Sequence, residues 1–121
     1  MLQAIKNFIS SFVCAGRGVI SLIVFDRNMR IHFLAAAAVI VLGIYFSITI
    51  TEWCVAVICI AIVMTAEAIN TAVEKLTDLV KPEYHPLAGR VKDMAAGAVL
   101  LAAAGAAACG VLIFWKYFFP A

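Results

Sequence analysis

The chain has 121 residues, of which 66% are hydrophobic and only 13% charged, with a formal net charge of +2, and its mean hydropathy is +1.10. One small domain of this composition lacks the polar surface of a soluble globular protein, so a bilayer is its expected environment. No nucleic-acid partner is expected from so small a basic excess.

Residues 1–25 carry Ile5, Phe8, Ile9, Phe12, Gly16, Val19, Ile20 and Ile23 at the spacing of one helical face, with Lys6, Ser10, Arg17 and Ser21 largely opposite. A cleavable signal needs a compact apolar core and a small-residue cut site, whereas this pattern predicts an amphipathic helix in the headgroup region. The competing reading is a fourth, poor membrane span, against which Arg17 and the polar face weigh. Beyond this helix, Ile31–Thr51, Trp53–Ala66 and Met94–Trp115 contain no Asp, Glu, Lys or Arg. The first and third meet the requirement of roughly 20 apolar residues per spanning helix. The second does so only if its helix continues through Glu67 and Asn70, carrying polar groups at membrane depth. The predicted membrane helices are 31–51, 53–80 and 86–117, the last two extending beyond the bilayer. Pro82 should stop the second near Val80 or Lys81, and Pro86 suits the first turn of the third.

Lys6, Arg17, Arg27 and Arg30 precede the first span, and Lys75, Lys81, Arg90 and Lys92 lie between the second and third. The segment after the first span has no basic residue, and only Lys116 follows the third. Basic residues near span ends stay inside the cell, which predicts a cytoplasmic 75–92 region and an external C-terminus. Cys14, Cys54, Cys59 and Cys109 show no CxxC spacing and read as packing residues. Small residues four apart in the last helix, Gly105 with Cys109 and Ala106 with Gly110, would allow close helix approach. Three spans hardly enclose a polar site alone, so an oligomer is expected.

The chemistry concentrates in "EAINTAVEKLTDLVKPEYH", which begins at Glu67. On a helix, with Glu67 at zero, Asn70 falls at about −60°, Thr71 at about +40°, Glu74 at about −20° and Asp78 at about +20°. The stripe climbs roughly 16 Å along the axis, from lipid into water. An ionisable group at the depth of Glu67 is costly and usually functional. For Glu74 and Asp78 the plainer alternatives are pairing with Lys75 or Lys81 and simple solvation. Carboxylates without His or Cys partners suit a hard cation such as magnesium, which completes its shell with water and phosphates. Arg90, Lys92 and the start of the last helix would favour an anion. Together these make a nucleotide site plausible, although no phosphate-binding glycine loop, dinucleotide fingerprint or protein-kinase motif occurs.

"EAINTAVEKLTD" followed by "EYHPLAGRVKDMAAGAVLLAA" closely resembles the small bacterial integral-membrane diacylglycerol kinase and undecaprenol kinase family, from about Asp26 to Gly110. The E-x-x-N-T/S-A-x-E-x-x-x-D run with a later G-R/K-x-K-D-M/L carries the likeness. The resemblance implies a single all-α membrane lipid-kinase domain in the bacterial inner membrane. It also implies a homotrimer with active sites between subunits at the cytoplasmic face, and transfer of the γ-phosphate of MgATP to a lipid alcohol. By position, Glu67 resembles the general base and Glu74 the principal magnesium carboxylate. Asn70 resembles the phosphate-side amide donor, Lys92 and Asp93 the nucleotide-binding pair, and Glu83, Tyr84 and His85 the adenine contacts. Asp26 stands where a second metal carboxylate is commonly Glu. Asn7 and Cys14 replace Arg and Tyr of some members. "DRNMRIH" and "NTAVEK" are similar to the undecaprenol-kinase branch, and "YHPLAGRVKDM" to the diacylglycerol-kinase branch, so the lipid stays open. The alternative reading is a small carboxylate-lined proton or cation transporter subunit. Against it, the polar cluster lies at one membrane face and no paired polar groups line the other spans.

Overall fold

The computed structural model describes residues 1–121 as four helices and no strand: α1 Leu2–Phe25, α2 Arg27–Phe46, α3 Ile50–Val80 and α4 Pro86–Phe118. Each is long and apolar enough to cross a membrane. With 31 and 33 residues, α3 and α4 are roughly 45–50 Å long, against a hydrocarbon core of about 30 Å. They therefore have length to spare for polar residues outside lipid. These two helices form the principal packed pair, α2 lies against α3, and α1 touches chiefly α2.

The helix ends follow from side-chain chemistry. Asp26 alone separates α1 from α2, in extended geometry, and its carboxylate accepts hydrogen bonds from the amides of Asn28 at 2.8 Å and Met29 at 3.0 Å. Such a cap satisfies donors that the first helical turn leaves free. The helix expected over 31–51 thus starts earlier, at Arg27, and it also ends earlier, at Phe46. Ser47 turns into the left-handed region with φ 52°, and Thr49 starts α3 through a reciprocal pair with Glu52. The Thr49 amide donates to Glu52 Oε2 at 2.9 Å and the Glu52 amide to Thr49 Oγ1 at 3.2 Å. That capping box restarts the helix inside a segment whose apolar composition gives no break. At the other end of α3, Lys81 is the C-cap before Pro82. His85 then caps α4, its Nδ1 accepting from the Leu87 amide at 3.1 Å, with Pro86 in the first turn.

The end of the bundle that carries Glu52 is tied across three helices. Lys116 Nζ lies 2.6 Å from Glu52 Oε1, and Tyr117 donates its hydroxyl to Glu52 Oε2 at 2.7 Å. Phe46 stacks on the Tyr117 ring at 5.5 Å, beside a small core of Ile48, Ile113 and Phe114 that also receives Trp53. Elsewhere burial is sparse: only 11 of 121 residues are buried, and α1 contributes none. So much exposed apolar surface requires lipid or other chains around it. Gly105, at one end of the small-residue stripe, has open space where a Cβ would stand.

Gly43 is the position where α2 tolerates no side chain. A Cβ there would meet Trp53 Cη2 at 2.7 Å and Cζ2 at 2.8 Å. Overpacking of this kind costs about 1–3 kcal/mol, more than the roughly 0.5–1 kcal/mol that alanine gains over glycine in a helix. Gly43→Ala is therefore expected to lower the unfolding free energy by about 1 kcal/mol, read as an earlier midpoint in a mixed-detergent titration; an unchanged or raised midpoint would refute the close approach.

Candidate functional site

The polar stripe of α3 faces the start of α2. Glu67 is 2% exposed, Asn70 5% and Thr71 8%, whereas Glu74 and Asp78, further along the same face, are exposed. A gradient from enclosed to open carboxylates thus runs along one helix. Thr71 donates its hydroxyl to Asp26 Oδ2, which ties the α1–α2 joint to α3. Asn70 donates through Nδ2 to Glu74 Oε1 at 3.3 Å. Glu67 Oε2 lies 3.7 Å from Nε2 of His32 on α2, and Asn28, one turn earlier, approaches the same carboxylate. Two enclosed acceptors, Glu67 Oε1 and Asn70 Oδ1, have no hydrogen-bond partner. Unpaired polar atoms cost about 1–3 kcal/mol each when buried, so a pair of them along one stripe marks a place built for an incoming donor or cation.

Burial pushes the Asp26 carboxyl up, but bonds from Thr71 and from the Met29 and Asn28 amides, with the Lys75 ammonium nearby, outweigh it and hold it below its ordinary value. Of the sequence-predicted residues, Asp26, Glu67, Asn70 and Glu74 come together in this way. Lys92 instead meets Asp78 at 2.5 Å, so the plain solvation weighed for Asp78 does not hold. Nor does Glu74 take Lys81, whose ammonium pairs with Glu83 at 2.8 Å and holds that carboxyl below its usual range. Tyr84 is 91% exposed. His85 is engaged as the α4 cap, and Asp93 is exposed on the first turns of α4. Glu83, Tyr84 and His85, expected at an adenine end, thus belong to a surface turn and do not touch the carboxylate cluster. His32 and Asn28 were missed in the sequence. Their signal was the four-residue spacing that puts two polar groups on one face of a helix which is otherwise apolar beyond Ile31.

No three His, Cys, Asp or Glu side chains converge closely enough to form a metal cage. The available donors are all hard oxygens, one of them the unpartnered Asn70 Oδ1. They fit a cation that takes one or two carboxylates and completes its shell with water and phosphate, and they do not fit a soft or fully protein-caged metal.

An all-helical membrane protein with a carboxylate stripe at one end of its bundle is the class that fold and site define. The chain belongs to the prokaryotic diacylglycerol kinase family, which it matches over residues 13–114. It is 39% identical over 110 residues to the undecaprenol kinase of Bacillus subtilis, covering 91% of this chain and 89% of that one. It is also 39% identical over 109 residues to a diacylglycerol kinase of Synechocystis, covering 89% and 62% of the two chains. With the diacylglycerol kinase of Escherichia coli K12 it shares 39% identity over 59 residues, covering 49% and 48%.

The Thr71 to Asp26 bond gives a pH-dependent prediction. Because the Asp26 carboxyl is held below its ordinary 3.8, the stabilisation is present above that value and is lost as pH falls through the lower folded-state value. Thr71→Val is expected to cost about 1 kcal/mol at neutral pH, and the gap between variant and wild type should narrow in melting curves taken at progressively lower pH. A gap that stayed constant across that range would contradict the pairing.

Proposed function

We propose that this protein is an ATP-dependent membrane lipid kinase that transfers the γ-phosphate of MgATP to the hydroxyl of a lipid alcohol, either diacylglycerol or undecaprenol. The observation that carries this is the oxygen-lined stripe running from enclosed Glu67 to open Glu74 in a chain of this family. A water-soluble phosphate donor and a lipid alcohol have to meet at such a boundary. The transporter reading loses its ground, because the family's named members are kinases.

In this account Glu67 takes the proton of the lipid hydroxyl as that oxygen attacks the γ-phosphorus and the bond to the ADP oxygen breaks. Its free Oε1 is the atom available for the proton. Glu74, assisted by Asp26, would hold Mg²⁺, which would supply neutralisation of charge on the phosphates. Asn70 steadies Glu74 through Nδ2, whose second N–H is left to donate on the phosphate side, while Oδ1 can accept only from a donor or a cation. Lys92 binds the phosphates, for which it must exchange Asp78 for the nucleotide, and Asp93 is the other member of the nucleotide-binding pair. Glu83, Tyr84 and His85 receive the adenosine end, and their exposure leaves them open to it.

The arrangement in the membrane follows the same logic. Lys75, Lys81, Arg90 and Lys92 keep the α3–α4 turn and the site on the cytoplasmic face of the bacterial inner membrane, with the C-terminus outside. Helix α1 lies along the interface on its apolar face, with Lys6 and Arg17 in the headgroups, leaving α2, α3 and α4 as the three spans of a single domain. In the family-like arrangement the protein is a homotrimer in which neighbouring subunits complete each site, beside apolar surface left to lipid.

Purified protein in micelles, given MgATP labelled in the γ-phosphate and offered diacylglycerol and undecaprenol in parallel, should place label in the extracted lipid from at least one of them. Glu74→Gln should lower kcat/KM for MgATP by about 100-fold. Label that never enters either lipid would overturn the kinase assignment, and an unchanged kcat/KM would remove Glu74 from the metal.

A further inference from the structure

Glu67 has three rotatable side-chain bonds and is 2% exposed, so a reactive geometry requires something to hold it. One oxygen, Oε1, has no partner. The other, Oε2, faces His32 Nε2 at 3.7 Å, just beyond hydrogen-bond reach and within the range that tightens when a site fills. His32 itself stands at a boundary. Its ring forms part of the wall of a cavity of about 280 Å³ between α2, α3 and α4, where it is the one polar side chain among Ala36, Val39, Val63, Met64 and other apolar groups. The imidazole therefore touches a chain-sized apolar space on one side and the carboxylate on the other.

We propose that His32 is a positioning residue for Glu67. Its Nε2–H holds Oε2, fixing the plane of the carboxylate so that the unpartnered Oε1 is aimed at the hydroxyl of a lipid whose chain enters the adjoining cavity. This requires the ring proton on Nε2. Asn28, one turn before on the same face of α2, approaches the carboxylate as well. The cap at Asp26 and its bond to Thr71 fix the α2 backbone that carries both residues. Orientation supplied this way acts on turnover and leaves nucleotide affinity alone, because Asn70 and Glu74, nearer the open end of the stripe, do not touch His32.

The inference rests on the lipid-kinase reading, and its test separates the two. His32→Ala and His32→Gln are made in the full chain and assayed in micelles with the lipid alcohol that the wild type accepts. Loss of a hydrogen bond to a charged group should lower kcat of His32→Ala by about 10- to 100-fold, with KM for ATP changed less than about twofold. Glutamine presents an amide N–H near the position of Nε2 and should recover most of the lost turnover. A His32→Ala enzyme with near-normal kcat, or equal losses in both variants, would overturn the proposal. The ¹⁵N shift of His32 Nε2 reads the pair without turnover: it should move on Glu67→Gln, and a shift that stays put would overturn the contact. Wild-type protein that phosphorylates no lipid alcohol would instead overturn the lipid-kinase reading, with the ¹⁵N result still deciding whether His32 holds Glu67.

Discussion

A carboxylate enclosed in an apolar helix bundle is the constraint around which this protein is arranged. Lipid offers no hydrogen bonds, so every polar group at depth must find its partner within the protein or be kept for a ligand. The four helices satisfy their own backbones, and what remains is the stripe on α3. The break between α1 and α2 answers part of that demand. Asp26 caps α2 with one oxygen and accepts the Thr71 hydroxyl with the other, so a single side chain starts a helix and anchors it to its neighbour. From that anchor α2 presents Asn28 and His32 to Glu67.

The two ends of the bundle use polar groups differently. At the Glu52 end, the ion pair with Lys116, the Tyr117 hydroxyl and the Thr49 cap consume the carboxylate's capacity, and aromatic packing around Phe46 closes the corner. That end is satisfied and structural. At the Asp26 end, Glu67 Oε1 and Asn70 Oδ1 are left over, and the exposed carboxylates Glu74 and Asp78 lead outward. The fold thus satisfies one end fully and leaves the other short of partners, which is the end the proposed function assigns to substrate. The apolar cavity between α2, α3 and α4 joins this end from the lipid side.

Much of this was legible in the chain. Composition announces a membrane protein, and helical spacing alone groups Glu67, Asn70, Thr71, Glu74 and Asp78 on one face. The limits of α2 were not legible from absence of charge, because a run without charge reports hydropathy and not where the backbone stops bonding. The Thr49–Glu52 capping pair, a local signal hidden in apolar sequence, decides that boundary. Pairings between helices were the least accessible. Asp78 with Lys92 spans the α3–α4 turn, and His32 with Glu67 joins α2 to the middle of α3; neither follows from periodicity along one element. Those contacts depend on the rotation of one helix against another, which the pattern within a single helix does not report.

If Glu67 serves the lipid hydroxyl while the open end of the stripe serves the nucleotide, as proposed, the two functions separate on mutation. Glu67→Gln keeps the shape of the side chain and removes its basicity, so measuring phosphate transfer and nucleotide binding on the same preparation tests that division directly. The account predicts transfer reduced by about 100- to 10,000-fold with nucleotide affinity little changed. Transfer close to the wild-type rate, or binding and transfer lost together, would contradict it.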